Sequence, residues 1–256
     1  MNLKNYVIVP DMQIPFHDVE FVNGIMDYIV DLNPTGVVFI GDNVDCTAPS
    51  AWSKATADEF AGTLQNEFDI WDDLVENLRS KYQGWIGVHF GNHEKRVRSY
   101  IKTKAPAFNS LRELRLENLM SLERYDLEGL PDHYDIAPGW VTHHGDFCSL
   151  SDIAGRSASN YSSKIGKSVI IGHTHRAGIV PESYGHDGVW YPRFGMEVGH
   201  AMDTSKAGYT NGVANWQKAF GILDVYNDGE FIQPRLIFAD IDGKFVDGGK
   251  VYGGNV

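Results

Sequence analysis

The sequence predicts an α/β protein, and two observations carry that prediction. Up to His175, short apolar runs typical of buried strands alternate with segments whose apolar residues recur at helical spacing. After His175 the pattern changes to Gly-rich, alternating segments typical of antiparallel strands. The chain has 256 residues and shows neither an internal repeat nor a low-complexity linker. We therefore expect one domain over residues 1–256, with strand–helix units first and antiparallel strands last.

The first elements follow one another in a regular order. YVIVP and GVVFIGD are predicted to be buried strands, and the segment between them has the apolar spacing of a helix over residues 18–33. A second helix is predicted over residues 57–82, with apolar residues from Phe60 to Leu78 on one face and its acids on the solvated face. GWIGVHFGN is the third strand, and a helix is predicted to follow from His93.

The second half of the chain contributes two more strand-to-loop units and a hairpin. GWVTHHGD and SVIIGHTH each read as a strand that ends in a polar loop. AFGILDVYNDGEFIQPRLIFA, residues 219–239, is predicted to be a hairpin with NDG as its turn. Between Phe108 and Glu128 we expect helical pieces, and a helical cap or lid over residues 105–138 is the place where we expect specificity to arise.

Composition excludes several classes of function. A net charge of −12 argues against a protein that coats nucleic acid or an anionic membrane through bulk electrostatics. The sequence has no long apolar run and no signal peptide features, so we expect no membrane association and a cytoplasmic location. Its two cysteines, Cys46 and Cys148, do not make a disulfide framework, and we expect two reduced, buried thiols.

One segment departs from the acidic character of the chain. Between Lys95 and Arg115 the sequence has seven basic residues and one acid, Glu113. The segment is either a local basic patch that holds an anionic substrate, such as a nucleotide or a nucleic-acid backbone, or a solvated helix face.

Five predicted strands end in short clusters of metal-capable side chains. The runs VIVP, VVFIG, GVHFG, WVTH and SVIIG lead, in that order, to Asp11 and Gln13, to Asp42, to Asn92, His93 and Glu94, to His144, and to His173 and His175. Each cluster alone is also explained as a polar turn or a helix N-cap. Ligands of open α/β sheets collect at the carboxyl ends of strands, so five such clusters together favour a metal site. Carboxylates and imidazoles around two divalent ions about 3.5–4 Å apart suit phosphoryl displacement.

The motifs Asp-x-Gln, Gly-Asp-x-x-Asp, Gly-Asn-His-Glu, His-Gly and Gly-His-x-His resemble those of the calcineurin-like metallophosphoesterase superfamily. The resemblance covers residues 11–175, about two thirds of the chain, and GNHE and GHTH are its most specific parts. DMQIPFHD and GHTHR look most like phage and bacterial members of unassigned substrate, which would place a phage-encoded protein in the host cytoplasm. The resemblance implies a four-layer αββα sandwich of two mixed β-sheets flanked by helices, and the β-rich tail suits the second sheet.

The resemblance also implies the residues of a two-metal site. One ion would be held by Asp11, Gln13, Asp42 and His175. The other would be held by Asp42, Asn92, His144 and His173, so that Asp42 bridges. A hydroxide between the ions would attack phosphorus in line, His93 would protonate or stabilise the leaving oxygen, and Asp45 would orient His93.

Gln13 departs from the family pattern, which usually has His at this position. An amide oxygen in place of an imidazole nitrogen favours Mn²⁺ or Mg²⁺ over Zn²⁺ and weakens the first site. Mn²⁺ is our expectation for both ions, with Mg²⁺, Zn²⁺, Ni²⁺ and Fe as alternatives. His17, four residues further on, is a candidate to compensate.

The sequence gives weaker evidence on whether the substrate is a phosphodiester or a phosphomonoester. The protein-phosphatase branch of the superfamily continues Gly-Asp-x-x-Asp with Arg-Gly, whereas this chain reads GDNVDCT. The missing arginine favours a phosphodiesterase acting on a nucleotide or nucleic-acid bond, although Arg96, Arg98 or Arg176 is able to replace it. Arg176 is equally suited to a surface salt bridge. The alternatives are a phosphomonoesterase and an interaction scaffold that has lost catalysis, and the sequence does not identify which proteins are partners.

The remaining polar residues have simpler interpretations. Glu94 is expected to support the site or to begin a helix, without binding metal. His143 is expected to be structural, and His89, inside a strand, to be a core or surface residue. No motif includes the other histidines, which we expect at the surface: His133, His186 and His200.

Overall fold

The computed structural model describes residues 2–50, 54, 64–206 and 214–254. In chain order the strands are β1 (Leu3–Val9), β2 (Gly36–Phe39), β3 (Trp85–Val88), β4 (Glu128–Gly129), β5 (Tyr134–Ala137), β6 (Trp140–His143), β7 (Ser168–Ile171), β8 (Ala177–His186), β9 (Val189–Val198), β10 (Ala219–Tyr226), β11 (Phe231–Phe238), β12 (Phe245–Asp247) and β13 (Lys250–Tyr252). The α-helices are α1 (Val19–Leu32), α2 (Leu64–Lys81), α3 (Glu94–Lys104), α4 (Leu116–Leu119) and α5 (Arg156–Ile165).

The strands form two mixed sheets and a small hairpin. The first sheet has the order β11-β10-β1-β2-β3-β4, in which β1 to β4 are parallel and β10 and β11 are antiparallel to their neighbours. The second sheet has the order β5-β6-β7-β9-β8, in which β6, β7 and β9 are parallel. β12 and β13 pair only with each other among the described strands.

The alternation of side chains along β1 shows how the layers are held together. Val7 and Val9 point to one face of the first sheet, where they join a core built with α1 and α2. Ile8 points to the other face and packs with Ile170 and Met196 of the second sheet. A third cluster covers the outer face of the second sheet with α5. The layers are therefore helix, sheet, sheet and helix, and the predicted four-layer αββα sandwich is confirmed.

The two large helices follow local rules for their ends and faces. Asp18 caps α1 by accepting a hydrogen bond from the backbone N–H of Phe21 at 3.1 Å, and Asn33 ends the helix in the left-handed region. Helix α2 buries Trp71 and Val75 on the predicted face, while Phe60 lies outside the described residues. The acids of α2 are not all on the solvated face as predicted, because Glu67 is buried.

The predicted lid segment is only partly helical. Residues 106–119 form two short 3₁₀ turns and α4, whereas β4 and β5, within the same 105–138 range, belong to the two sheets. A cap can therefore comprise only the first part of the range, and its action as a lid stays a prediction. The predicted hairpin is confirmed, since β10 and β11 pair in register around a 3₁₀ turn at Asn227–Gly229.

Within the described ranges, no helix has both the length and the apolar character that crossing a membrane requires.

Candidate metal centre

The topology brings all five predicted clusters to one region. β1, β2 and β3 are parallel neighbours, so the loops after them lie at the same edge of the first sheet. β6 and β7 are parallel neighbours in the second sheet, and their loops meet those of the first. The contacts between Asp42 and His144 and between Asp11 and His175 cross from one sheet to the other.

The four residues Asp42, Asn92, His144 and His173 form what we call the Asp42 cluster. His144 Nε2 lies 3.2 Å from Asp42 Oδ2 and 3.1 Å from Asn92 Oδ1. Asp42, His144 and His173 each place a ligand-type atom within 4.8 Å of the other two. Asp42 and His144 are buried, and His173 is partly so. Four loops from two sheets thus direct electron-pair donors at a common point.

The electrostatics of this cluster require a positive charge. His144 Nδ1 lies 3.2 Å from the carbonyl oxygen of Ile40, so this nitrogen donates a proton and Nε2 faces the two oxygens. Burial opposes protonation of His144, but the nearby Asp42 carboxylate outweighs it and raises the pKa of His144 to about 10. Burial also disfavours the charged form of Asp42, yet His144 and His93 hold its pKa well below the usual range. His144 is therefore charged at neutral pH in this arrangement, and a metal ion would replace the proton on Nε2.

The three residues Asp11, Gln13 and His175 form the Asp11 cluster. His175 Nε2 lies 3.3 Å from Asp11 Oδ2 and 3.1 Å from the side-chain amide nitrogen of Gln13. All three side chains are buried, and His175 Nδ1 makes no hydrogen bond to the described residues. The arrangement again places a carboxylate beside an imidazole in a site from which water is largely excluded.

The backbone holds the two clusters together. The N–H of His173 donates to both oxygens of Asp11, at 3.1 and 2.9 Å, so a residue of the Asp42 cluster supports the Asp11 cluster. The N–H of Gln13 donates to the carbonyl oxygen of Asp42 at 2.8 Å, which joins the loops after β1 and β2. The predicted ligands therefore form one connected assembly at the end of the strands.

Backbone conformation sets these residues apart from an ordinary polar turn. Gln13, Asp42, His173 and His175 all have positive φ, at 48°, 51°, 65° and 57°. Residues other than glycine rarely adopt this region, and such strained conformations concentrate at functional sites. Four examples among seven predicted ligands indicate a backbone shaped to aim side chains at a shared point.

Two motif glycines allow the strands to meet so closely. A Cβ atom on Gly91 would overlap with Asp42 Oδ1, and one on Gly172 would overlap with Asp11 Oδ1. Each glycine precedes a predicted ligand in its own loop and leaves room for a carboxylate from a different strand.

Glu94 has a larger role than its sequence position suggests. It is fully buried, and its carboxylate accepts hydrogen bonds from the backbone N–H groups of Asp42, Asn43, Val44 and Gly91 at 2.6 to 3.2 Å. The prediction that Glu94 supports the site is confirmed, and it also begins α3. Its carboxylate fixes the loop that carries Asp42 against the loop that carries Asn92.

Glu67 supports the same region from α2. Its Oε2 accepts a hydrogen bond from the backbone N–H of Cys46 at 2.7 Å. This contact explains why one acid of α2 is buried, and it anchors the chain just after Asp45.

His93, Asp45 and Arg96 lie beside the Asp42 cluster. His93 Nδ1 is 2.8 Å from Asp45 Oδ1, Asp45 accepts a hydrogen bond from the hydroxyl of Thr47, and Arg96 donates to the carbonyl oxygen of Asp45 at 2.9 Å. Arg96 Nη2 lies 2.8 Å from His93 Nε2, and that nitrogen is 3.5 Å from Asp42 Oδ2. Burial opposes protonation of His93, but Asp42 and Asp45 together raise its pKa. The predicted pairing of His93 with Asp45 is present, and Arg96 faces the same nitrogen.

Arg176 and His17 are placed differently from the other predicted residues. Arg176 Nη2 lies 3.0 Å from Asp152 Oδ1, which is the surface salt bridge given as its alternative role. His17 is half-buried, and its backbone pairs with Met202. His17 Nδ1 makes no hydrogen bond to the described residues, so compensation for Gln13 gains no support there.

Three of the histidines outside the motifs follow the predictions, whereas His89, expected inside a strand, lies just after β3, where it is buried. His133 and His186 are exposed, and His143 is buried with Nε2 near Cys148 Sγ, in a structural position. The prediction that His200 lies at the surface is wrong, because it is 1% exposed.

His200 is buried because its segment pairs with the loop of the Asp11 cluster. It forms a β-bridge with Asp11, and its ring lies 5.6 Å from that of His175. Burial lowers the pKa of His200 to about 3, so its imidazole is uncharged at neutral pH where it packs beside the His175 ring. Trp216 covers the same ring at 4.4 Å. No motif marks either residue, and only the pairing of distant segments reveals them.

Comparison with known proteins supports the fold and gives the family. The Gene 54 protein of Mycobacterium phage L5 is 37% identical over 254 residues, which cover 97% of this chain and 98% of the relative. The Gene 54 protein of Mycobacterium phage D29 is 36% identical over 254 residues, with the same coverage of 97% and 98%. No protein-family model matches the chain.

Solved structures are similar at the level of the fold. Vps29 from Chaetomium thermophilum aligns with a TM-score of 0.51 at 10% identity and covers 98% of both chains. Vacuolar protein sorting 29 from Cryptosporidium parvum aligns with a TM-score of 0.49 at 13% identity over 98% of this chain and 99% of that one. The architecture is that of the calcineurin-like phosphoesterase fold. Since more than a third of the positions match over almost the full length of both phage proteins, this chain belongs to the family of the Gene 54 proteins of mycobacteriophages L5 and D29.

Proposed function

We propose that the protein is a metal-dependent phosphoesterase that uses two divalent ions, and that it cleaves a phosphodiester of a nucleotide or nucleic acid. The observation that carries the proposal is the Asp42 cluster, in which His144 Nε2 lies within 3.2 Å of two side-chain oxygens from different loops. Such a concentration of electron-pair donors in a buried site requires a cation. The carboxylate, amide and imidazole set matches that of dinuclear phosphoesterases.

We assign the ligands to two ions that share one carboxylate. Asp11, Gln13, Asp42 and His175 hold the first ion. Asp42, Asn92, His144 and His173 hold the second. Bound metal ions supply Lewis-acid polarisation of the phosphoryl oxygens and lower the pKa of an attacking water. The residues fit this role, because the donors are buried or partly buried and already close together.

Proton transfer and phosphate binding fall to three residues beside the Asp42 cluster: His93, Asp45 and Arg96. Asp45 accepts from His93 Nδ1 and so directs Nε2 toward the centre, where it protonates or stabilises the leaving oxygen. Arg96 places a guanidinium 2.8 Å from that nitrogen, so a phosphate bound beside His93 meets a permanent positive charge. Arg176 is a weaker candidate for phosphate binding, because it faces Asp152.

The Gln13 position sets the metal preference. In this Asp-x-Gln variant of the Asp-x-His motif, Gln13 would offer the first ion an amide oxygen in place of an imidazole nitrogen. The amide nitrogen of Gln13 lies 3.1 Å from His175 Nε2, so the amide would rotate when it binds the ion. An oxygen-rich site favours Mn²⁺, followed by Mg²⁺, over Zn²⁺. The first site is then the weaker of the two, since it has one imidazole and the second has two.

The room around the centre favours a diester. A cleft of about 580 Å³ has the ring of His144 in its lining, and we infer that it takes a second ester substituent beyond the cleaved bond. Arg96, however, supplies a cation that the GDNVDCT motif lacks, and a dianionic monoester profits most from such a cation. A phosphomonoesterase is therefore the second candidate, and a catalytically weak scaffold is the third.

The relatives and the cleft suggest further aspects of the role. The two Gene 54 relatives are phage proteins, and we therefore propose that this protein is phage-encoded and acts in the host cytoplasm. We also propose a single catalytic domain in which residues 105–127 cap the cleft.

The test is hydrolysis of aryl phosphate mono- and diesters by metal-stripped protein, titrated separately with Mn²⁺, Mg²⁺, Zn²⁺ and Ni²⁺. We expect faster diester cleavage, with Mn²⁺ the best activator. Cleavage of monoesters alone would replace the diesterase by the phosphatase. No hydrolysis with any of the ions would leave the scaffold as the explanation.

Two ligand variants test the assignment of the centre. Asp42→Asn and Asn92→Ala are expected to lower kcat/KM by more than about 100-fold, beyond what the loss of an outer partner of a metal ligand costs. Asp73→Ala and Asn77→Ala, at exposed positions of α2, are the matched controls and should keep full activity. Circular dichroism checks that each variant is folded. Near-normal hydrolysis by both ligand variants would contradict the two-metal assignment.

A further inference from the structure

A groove along α3 meets the metal centre at the ring of His144, which is the one predicted ligand in its lining among the described residues. The cleft of about 580 Å³ that reaches His144 adjoins a second cleft of about 400 Å³, and the two share the side chains of Phe90, Arg98, Asn109 and Leu116. The second cleft continues to Arg115. We call this continuous depression the α3 groove. It is much larger than a single phosphate group requires, so it offers space for a long ligand.

The lining of the α3 groove includes three cations that form no ion pair among the described residues, together with an exposed acid, Glu117. Arg98 and Lys102 are exposed, line the first cleft, and pair with no carboxylate among the described residues. They are four residues apart on α3, which separates them by about 6 Å along the helix axis. Arg115 adds a third exposed cation in the second cleft. On a chain with a net charge of −12, such a row of unpaired cations is a local binding site for several negative charges.

Lys95 differs from these three cations. Its Nζ lies 3.2 Å from both Asp132 Oδ1 and Asp146 Oδ2, so its charge is compensated within the protein. These two aspartates belong to the lining of the first cleft, and both are occupied by Lys95. The charge available to a ligand therefore comes from the outer part of the groove.

The floor of the groove is apolar and includes an exposed aromatic ring. Phe90, Leu116 and Leu130 line the first cleft together with Phe147, which is 49% exposed. The ring of Phe147 is stacked on that of His133 at 5.9 Å, with an interplanar angle of 10°. The contact fixes the plane of the ring; Lys95 Nζ lies over the ring, 5.3 Å from its centroid, and a base would reach the ring through its exposed part. A flat ring held in this way beside a row of cations is a platform for a nucleobase.

We propose that the α3 groove binds a single-stranded polynucleotide, with its phosphates on Arg98, Lys102 and Arg115 and a base on Phe147. This inference rests on the proposed function, because it identifies the substrate whose bond lies at the metal centre. A duplex buries the faces of its bases and leaves the apolar floor unused, whereas a single strand exposes them. A mononucleotide reaches only one of the spaced cations.

The first experiment measures binding without hydrolysis. Labelled DNA and RNA single strands of about 12 nucleotides are titrated with metal-stripped, full-length protein at salt concentrations between about 50 and 200 mM, and binding is followed by fluorescence anisotropy. We expect binding of the single strands, weaker binding of the same sequence as a duplex, and at least tenfold weaker competition by a mononucleotide. Equal binding of duplex or mononucleotide would overturn the proposal. The DNA and RNA arms identify which sugar the groove accepts.

Charge variants separate the groove from the rest of the basic surface. Arg98→Ala with Lys102→Ala should lower the slope of log K against log salt by about 1.4, since each phosphate contact with a single strand contributes about 0.7. Lys81→Ala with Lys104→Ala removes the same charge from exposed positions outside the clefts and is the matched control. An equal change in both double variants would show general electrostatic attraction and refute the site.

An aromatic variant tests the base platform. Phe147→Ala should weaken binding by at least about fivefold, which corresponds to the lower end of the contribution of one stacked base. The salt slope should not change. Phe108→Ala removes a similarly exposed ring outside both clefts and should leave binding unchanged. Unchanged affinity of folded Phe147→Ala protein would exclude the platform.

The outcomes distinguish this inference from the proposed function. Binding of single strands by a protein that hydrolyses no aryl diester would keep the groove and reject the diesterase. Hydrolysis of aryl diesters without single-strand binding would keep the diesterase and reject the groove.

Discussion

The carboxylate of Glu94 provides the sharpest test of how the metal centre is built. Its two oxygens accept four backbone hydrogen bonds: Oε1 from Asn43 and Val44, and Oε2 from Asp42 and Gly91. Four N–H donors around one buried side chain leave no place for a proton on either oxygen. Burial and the charge of Asp42 raise the pKa of Glu94, so the hydrogen bonds must offset the cost of keeping the charged form.

Glu94→Gln preserves the shape of the side chain and exchanges one acceptor for a donor. Whichever way the amide is turned, its NH₂ group faces two backbone N–H donors, and two buried donors lose their partner. Each unsatisfied buried donor costs about 1–3 kcal/mol, so the variant should lose about 2–6 kcal/mol of unfolding free energy. That is a large fraction of the total stability of an ordinary domain, about 5–15 kcal/mol.

Urea unfolding of metal-stripped protein measures this loss. Glu123→Gln is the matched control, because Glu123 is exposed and the substitution should change the unfolding free energy by less than about 0.5 kcal/mol. Removing bound metal keeps ligand stabilisation out of both values. If Glu94→Gln is as stable as the control, Glu94 is protonated in the native protein and the charged clamp does not exist.

Two further predictions concern the metal preference and a surface ion pair. Gln13→His should raise the affinity of the metal-stripped protein for Zn²⁺ relative to Mn²⁺, because it restores an imidazole, and histidine tolerates the positive φ of 48° at this position. Competition with a chelating dye measures the two affinities, and Gln83→His, at an exposed position, is the control. An unchanged ratio of affinities would remove Gln13 from the ligand set. Hydrogen bonds from Arg193 and from two serines lower the pKa of Glu182 from 4.5 to about 2, so the stability it contributes is present above pH 4.5 and is lost as the pH falls toward 2. Glu182→Gln should therefore cost at most about 1 kcal/mol at pH 7 and should reduce the fall in Tm between pH 5 and pH 2.5, whereas an unchanged acid dependence would show that this pair does not contribute.

The fold was predictable because each apolar run that forms a strand is followed in the sequence by polar residues. Apolar runs such as VVFI and VIIG are buried on both faces, and such strands belong to parallel arrangements between layers. Their carboxyl ends then share an edge, so the approach of Asp42 to His144 follows from the topology. Here local pattern and global architecture agree.

The support of the site was predictable only in part, because it depends on partners distant in sequence. His200 carries no motif, and its burial results from a bridge to Asp11 across most of the chain. Helical periodicity predicts a solvated acid at Glu67, but its carboxylate is buried and accepts a hydrogen bond from the backbone N–H of Cys46. Periodicity reports which face of a helix is apolar, and it carries no information about a single polar partner placed on that face by another segment.

The glycines of the motifs explain why the site is recognisable from short sequences at all. Gly91 precedes Asn92, and Gly172 precedes His173, yet the space each leaves is filled by a carboxylate from another strand. A side chain at Gly91 would displace Asp42, and one at Gly172 would displace Asp11, so each motif encodes both its own ligand and the docking of a neighbour's ligand. Because the second requirement is steric, it permits only glycine, and this couples loops that are far apart in sequence. The motifs are thus local signatures of a contact between strands, which is why they predict the assembled centre better than any single ligand does.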